Sequence, residues 1–219
     1  MTEAEWLACT DPQTMLEFLR GKASDRKLRL FACHCCYHSL QDHGCFKEEA
    51  EDAVVMAEWF ADGEATLGDL IDEREDFMRS FDAATFTLVA MMDAVAPTMA
   101  TPMTIDDALR GVVAIAEYNR VIGFTANEQA HQCEVLRDFF GNPFRRLHVI
   151  NPPWLAWNDG TVPKLAQGIY EQRRFEGMFV LADALEDAGC THAGLLSHLR
   201  GPGPHVRGCW AVDLILGKQ

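Results

Sequence analysis

The residues most able to do chemistry lie in Cys33-His34-Cys35-Cys36-Tyr37-His38, five metal-ligand side chains within six positions. On an α-helix His34 and His38 share a face, as do Cys35 with His38 and Cys33 with Cys36. Zinc takes four nitrogen or sulfur ligands in a tetrahedron, and one helix can supply two of them. The others must come from elsewhere, and the tail offers Cys190, His192, His198, His205 and Cys209. A zinc site of Cys35 and Cys36 with His205 and Cys209 satisfies that chemistry if the last helix sets His205 and Cys209 one turn apart. The competing assignment is that these cysteines are small apolar side chains where helices approach closely. No doubled Cys-x-x-Cys unit settles the choice.

Glu128-x-x-His131 is a second candidate metal set. That spacing puts a carboxylate and an imidazole on one helix face, as in carboxylate-bridged helical bundles. Those bundles use the motif twice, and only one copy is present. A nucleophilic set of Cys209, His205 and Asp213 would sit four residues apart along one helix, although hydrolases usually draw such groups from different elements. No Gly-x-Ser-x-Gly elbow, phosphate loop or dinucleotide fingerprint occurs. Arg207, expected in the first turn of a helix opened by Pro204, is a candidate anion ligand or an ordinary ion-pair partner.

The elements positioning these groups read as helices. Thr2-x-x-Glu5 is a capping box, and Asp11-Pro12 is a cap followed by proline at the first helical position. Further helices are expected from Ser24 or Asp25, from Lys47 to Ala61, from Thr66 to Phe81, and from Ala83 to Val95. Others follow from Thr104 to Val121, Asn127 to Phe140, Val162 to Gln172, Phe175 to Ala188, His192 to Leu199, and Val206 to Leu216. Turn residues fill 142–160, including Asn151-Pro152-Pro153 and Asn158-Asp159-Gly160. The expected fold is all-α. It comprises a multi-helix, bundle-like body over 1–141, an irregular bridge over 142–160, and a C-terminal cluster of short helices over 161–219 docked on the body as one unit.

Charge narrows the partners. The chain of 219 residues carries a net charge of −14. Between Asp42 and Asp107 there are 17 acids and 3 bases, so this third holds the whole excess. Such a field repels phosphate backbones and argues against nucleic acid. It is either a solvated helix pair or a docking face for a basic protein. Met91, Met92, Met99 and Met103 follow it, as core filler or as an adaptable contact surface. The most apolar stretch, Ala83 to Met103, is interrupted by Asp93 and Pro97, so no membrane span is expected. Without a leader pattern, the expected location is the cytoplasm, where eight cysteines stay reduced or bind metal.

Several strings resemble a family of uncharacterised bacterial proteins of planctomycete type. They are the opening MTEAEWLACTDP, LEFLRGKASDRKLRLFACHCC from Leu16 to Cys36, the segments Leu136 to Arg145 and Leu181 to Cys190, and LRGPGPHVRGCW from Leu199 to Trp210. The resemblance covers both ends and little of the acidic middle. It implies no particular activity. Relatives often carry alanine at the position of His34 and a basic residue at that of His38, so the resemblance marks these two histidines as particular to this chain. The expected function is a helical module that binds a macromolecule, favoured over an enzyme. The alternatives are a zinc protein with a structural or catalytic Cys/His site, and a cysteine-dependent enzyme.

Overall fold

The computed structural model describes residues 1–41, 48–79, 104–121, 128–145 and 149–218. Among them are eleven α-helices, one 3-10 turn and no strand, so the fold is all-α. The helices are α1 Glu3–Ala8, α2 Pro12–Phe18, α3 Asp25–Gln41, α4 Glu48–Ala61, α5 Leu67–Arg79, α6 Ile105–Val121 and α7 Glu128–Phe140. There follow α8 Pro152–Gln172, a 3-10 turn at Phe175–Gly177, α9 Met178–Asp187, α10 Ala193–Arg200 and α11 Trp210–Leu216. The expected helix from Ala83 to Val95 and the methionine-rich stretch lie outside the described residues.

Helix starts follow from their caps. Thr2 and Glu5 exchange backbone and side-chain hydrogen bonds ahead of α1, 2.6 Å from the Thr2 amide to Glu5 Oε2 and 3.3 Å from the Glu5 amide to Thr2 Oγ1. Asp11 accepts from the amides of Gln13 and Thr14, with Pro12 at the first helical position. Thr104 and Asp107 make the same reciprocal pair at α6.

The chain divides into two compact units, one of residues 8–133 and one of 2–7 with 134–219, so α7 contributes to both. In the first, α3 packs on α4 and α6, α4 on α5, and α2 on α6. Leu28, Phe31, Cys33 and Cys36 of α3 are buried, as are Ala53 and Ala57 of α4. Small side chains at these positions let helix axes come close. Arg29 is also fully buried, bonded to Asp25 at 3.2 Å with its guanidinium 4.9 Å from the Phe60 ring centroid.

The second unit buries Tyr170, Leu181, Leu185, Leu195, Leu199 and Val212 in one core. Each such leucine contributes about 1.5–3 kcal/mol by leaving water. Helix α1 belongs to this unit. Trp6 is fully buried, its indole N–H donates to the Gly141 carbonyl at 3.0 Å, and Arg137 donates to the Trp6 carbonyl at 3.1 Å.

Two boundaries differ from expectation. Helix α8 begins at Pro152, inside the stretch read as irregular, because proline at the first turn sacrifices no helical hydrogen bond. The turn chemistry survives as a kink, where Asn158, Asp159 and Gly160 take left-handed conformations. Helix α11 begins at Trp210 instead of Val206. Gly208 sits at φ +98°, which no helix can contain, and a Cβ there would overlap the Phe139 ring.

Candidate metal centre

That late start of α11 decides where His205 and Cys209 point. They are not one turn apart on a helix. His205 lies in the loop after Gly203, and Cys209 is the residue capping α11. The loop is tied to α7 through Asp138, whose Oδ2 accepts from the Val206 amide at 3.0 Å.

Asp138 is the hub. Its Oδ1 lies 2.9 Å from His205 Nδ1 and 3.2 Å from His198 Nε2. His198, on α10, also places Nε2 3.1 Å from Cys209 Sγ. Donor atoms of Asp138, His198, His205 and Cys209 all lie within 4.8 Å of one another. The Asp138 side chain is 2% exposed, His205 9% and His198 20%, so the cluster is buried but reachable on its histidine side. A cleft of about 200 Å³ lined by Glu134, Arg137, His198 and His205 leads to it.

The protonation pattern is informative. His205 Nε2 donates to the Gly201 carbonyl at 3.2 Å, which orients the ring and turns Nδ1 toward Asp138. Burial pulls the His205 pKa down, but the hydrogen bond and charge of Asp138 outweigh it and hold it above its ordinary value. Burial pushes Asp138 up, and hydrogen bonds from His198 and His205 outweigh that and hold it below the usual carboxylate range. Burial, then the Asp138 charge, push the Cys209 thiol well up. Without a cation these contacts favour the protonated form of His205, the carboxylate of Asp138 and the neutral thiol of Cys209. A divalent cation would replace the protons and use the same atoms as ligands, a set of O, N, N and S that suits zinc.

The residues named from sequence are distributed as follows. His205 and Cys209 lie together with Asp138 and His198, all four within the second unit, though not through the expected helical spacing. Cys35 and Cys36 belong to the first unit. Those two cysteines are core residues of α3. Burial alone lifts Cys36 to about 12, and burial followed by the Glu128 charge lifts Cys35 well above its ordinary value. Asp213 lies on α11 while His205 does not, so the same-helix arrangement of Cys209, His205 and Asp213 is absent, and His205 faces Asp138 instead. A buried thiol with a raised pKa is also the reverse of an activated nucleophile. Arg207 precedes α11 and is buried, its guanidinium 4.9 Å from the Tyr170 ring centroid. His192 spends Nδ1 on capping α10 at the Leu195 amide, 3.0 Å away.

Asp138 was the residue missed. Its signal is an acid between Val135, Leu136, Phe139 and Phe140, on the buried face of a helix. A carboxylate in such a run needs a partner.

Glu128 and His131 do share one face of α7, and what they meet is the histidine pair of α3. His131 Nε2 lies 3.1 Å from His34 Nε2, and Glu128 Oε2 lies 3.2 Å from His38 Nδ1.

Fold and site together define an all-α protein with a buried Asp/His/His/Cys cluster that could hold a metal ion. No protein-family model, curated protein or solved structure matches the chain. Among the described residues no helix is long and apolar enough to cross a membrane.

Proposed function

We propose that this chain is a zinc-binding helical protein, with Asp138, His198, His205 and Cys209 as ligands of a structural ion. The observation that carries this reading is the convergence of four donor atoms from three separate places on the chain. The bound ion fastens the loop at 201–209 and the end of α10 to α7. With four protein ligands its shell is filled, which suits structural zinc more than catalysis. The protein then works by binding and not by turnover. The test is the zinc content of protein purified without chelator, beside Cys209→Ser and His198→Gln. Both variants are expected to hold one equivalent of zinc less than the parent protein. Equal metal content in all three would refute the assignment.

A second reading, docking of a basic protein partner, draws on the surface of α4 and α5. Asp69, Asp72, Glu75 and Asp76 are exposed there together with Trp59, Leu67 and Ile71. Acidic charge around apolar anchors suits a cationic partner better than nucleic acid or an anionic membrane. Capture that weakens steeply from about 0.05 to 0.5 M salt supports this reading, and salt-independent capture contradicts it. A cytoplasmic setting, where cysteines remain reduced, suits both readings.

A further inference from the structure

The densest chemistry in the sequence is not in the centre just described. In the first unit, His34 and His38 of α3 face Glu128 and His131 of α7. His34 and His131 bring their Nε2 atoms to 3.1 Å. Two nitrogens held at about 2.0–2.1 Å by one ion stand roughly 2.9–3.4 Å apart, between right-angle and tetrahedral geometry. The pair is therefore already at the bite of a single cation. His38 stacks on His131 with ring centroids 3.9 Å apart, and its Nδ1 lies 3.2 Å from Glu128 Oε2.

The carboxylate is held from behind. Gln132, 1% exposed, donates from Nε2 to Glu128 Oε1 at 3.0 Å. Its own Oε1 is buried without a hydrogen-bond partner among the described residues. An unsatisfied buried acceptor is destabilising, so this amide orients Glu128 at a loss to the fold. Such outer support is what metal-ligating carboxylates receive. The rim is open, since the His38 side chain is 31% exposed and Glu128 13%.

We propose that His34, His38, His131 and Glu128 form a second, independent site for a divalent late-transition ion of the nickel, copper and zinc class. His34 and His131 are the primary ligands through Nε2. His38 and Glu128 complete the shell by side-chain rotation, because these donors are not all gathered within 4.8 Å as those of the first cluster are. Three imidazoles and no thiolate select this class of ion over magnesium or calcium.

The test uses Ni²⁺ as the probe on the full chain carrying His205→Gln and Cys209→Ser, which disable the first centre. Calorimetric titration is expected to show one equivalent still binding. Adding His34→Ala and His131→Ala should weaken that binding at least 100-fold, with helical circular dichroism unchanged. Should the double substitution unfold the protein, Glu128→Gln, which keeps the shape and Gln132 contact, should weaken Ni²⁺ at least 10-fold. No Ni²⁺ binding to the disabled chain, or binding indifferent to these substitutions, overturns the site. The zinc assignment of the other centre stands or falls separately.

Discussion

Replacing Cys209 by serine separates packing from metal binding, because the two contribute under different conditions. Cys209 is fully buried, with Sγ 3.1 Å from His198 Nε2. Without metal the sulfur is a neutral thiol, and a serine hydroxyl can keep a hydrogen bond to His198. The cost of Cys209→Ser in chelator is then about 1 kcal/mol or less. With zinc buffered about 100-fold above its dissociation constant, the parent protein gains about 2.7 kcal/mol of stability. Loss of the thiolate ligand by about 100-fold in affinity leaves the variant only about 0.4 kcal/mol of that gain. The same substitution thus costs about 2 kcal/mol more in zinc than in chelator. Urea denaturation of both proteins, with zinc and with chelator, measures all four midpoints, and unchanged slopes validate the comparison. Equal zinc stabilisation of parent and variant would refute the reasoning.

Three further outcomes follow from the same geometry. Asp138→Ala removes the carboxylate shared by the Val206 amide, His205 and His198, and is expected to cost about 3–5 kcal/mol by denaturation even in chelator; Asp138→Asn, which keeps an acceptor for the amide, should cost less while still abolishing zinc binding at this centre. Gly208→Ala should cost at least about 2 kcal/mol in thermal or urea denaturation, since φ +98° and the Phe139 ring both oppose a Cβ. Stability against pH should run in opposite directions with and without metal. In chelator, the lowered Asp138 gives stability present above its ordinary 3.8 and lost as pH falls through its lower folded value. The raised His205 gives stability complete below 6.5 and lost as pH rises through its higher folded value. The chelated protein should therefore weaken above pH 6.5, whereas the zinc form should strengthen there because metal displaces protons. Denaturation at several pH values checks both signs.

Local signals carried the helices and failed at long range. Thr2-x-x-Glu5, Asp11-Pro12 and Thr104-x-x-Asp107 each marked a true helix start, because a cap is decided by three or four neighbouring residues. The final helix was read four residues too long, because Val206 and Arg207 look helical until Gly208 takes a left-handed turn against Phe139. His205 and Cys209 were recognised as potential ligands by type, but Asp138 is 60 residues or more away along the chain from its partners, and spacing cannot find it. His34, His38, Glu128 and His131 were each visible as candidates. Only side-chain contacts between α3 and α7 join two motifs about 90 residues apart into one cluster.

The claim of a thiolate-containing metal centre is tested most directly by titrating the metal-free protein with Co²⁺ and recording its absorption spectrum. Cobalt occupies zinc sites and reports both geometry and sulfur ligation. The account predicts intense tetrahedral d–d bands with a thiolate-to-cobalt charge-transfer band that saturates at one equivalent, vanishes on addition of zinc, and is lost in Cys209→Ser but kept in His131→Ala. A spectrum without the charge-transfer band, or one that Cys209→Ser leaves unchanged, would contradict it.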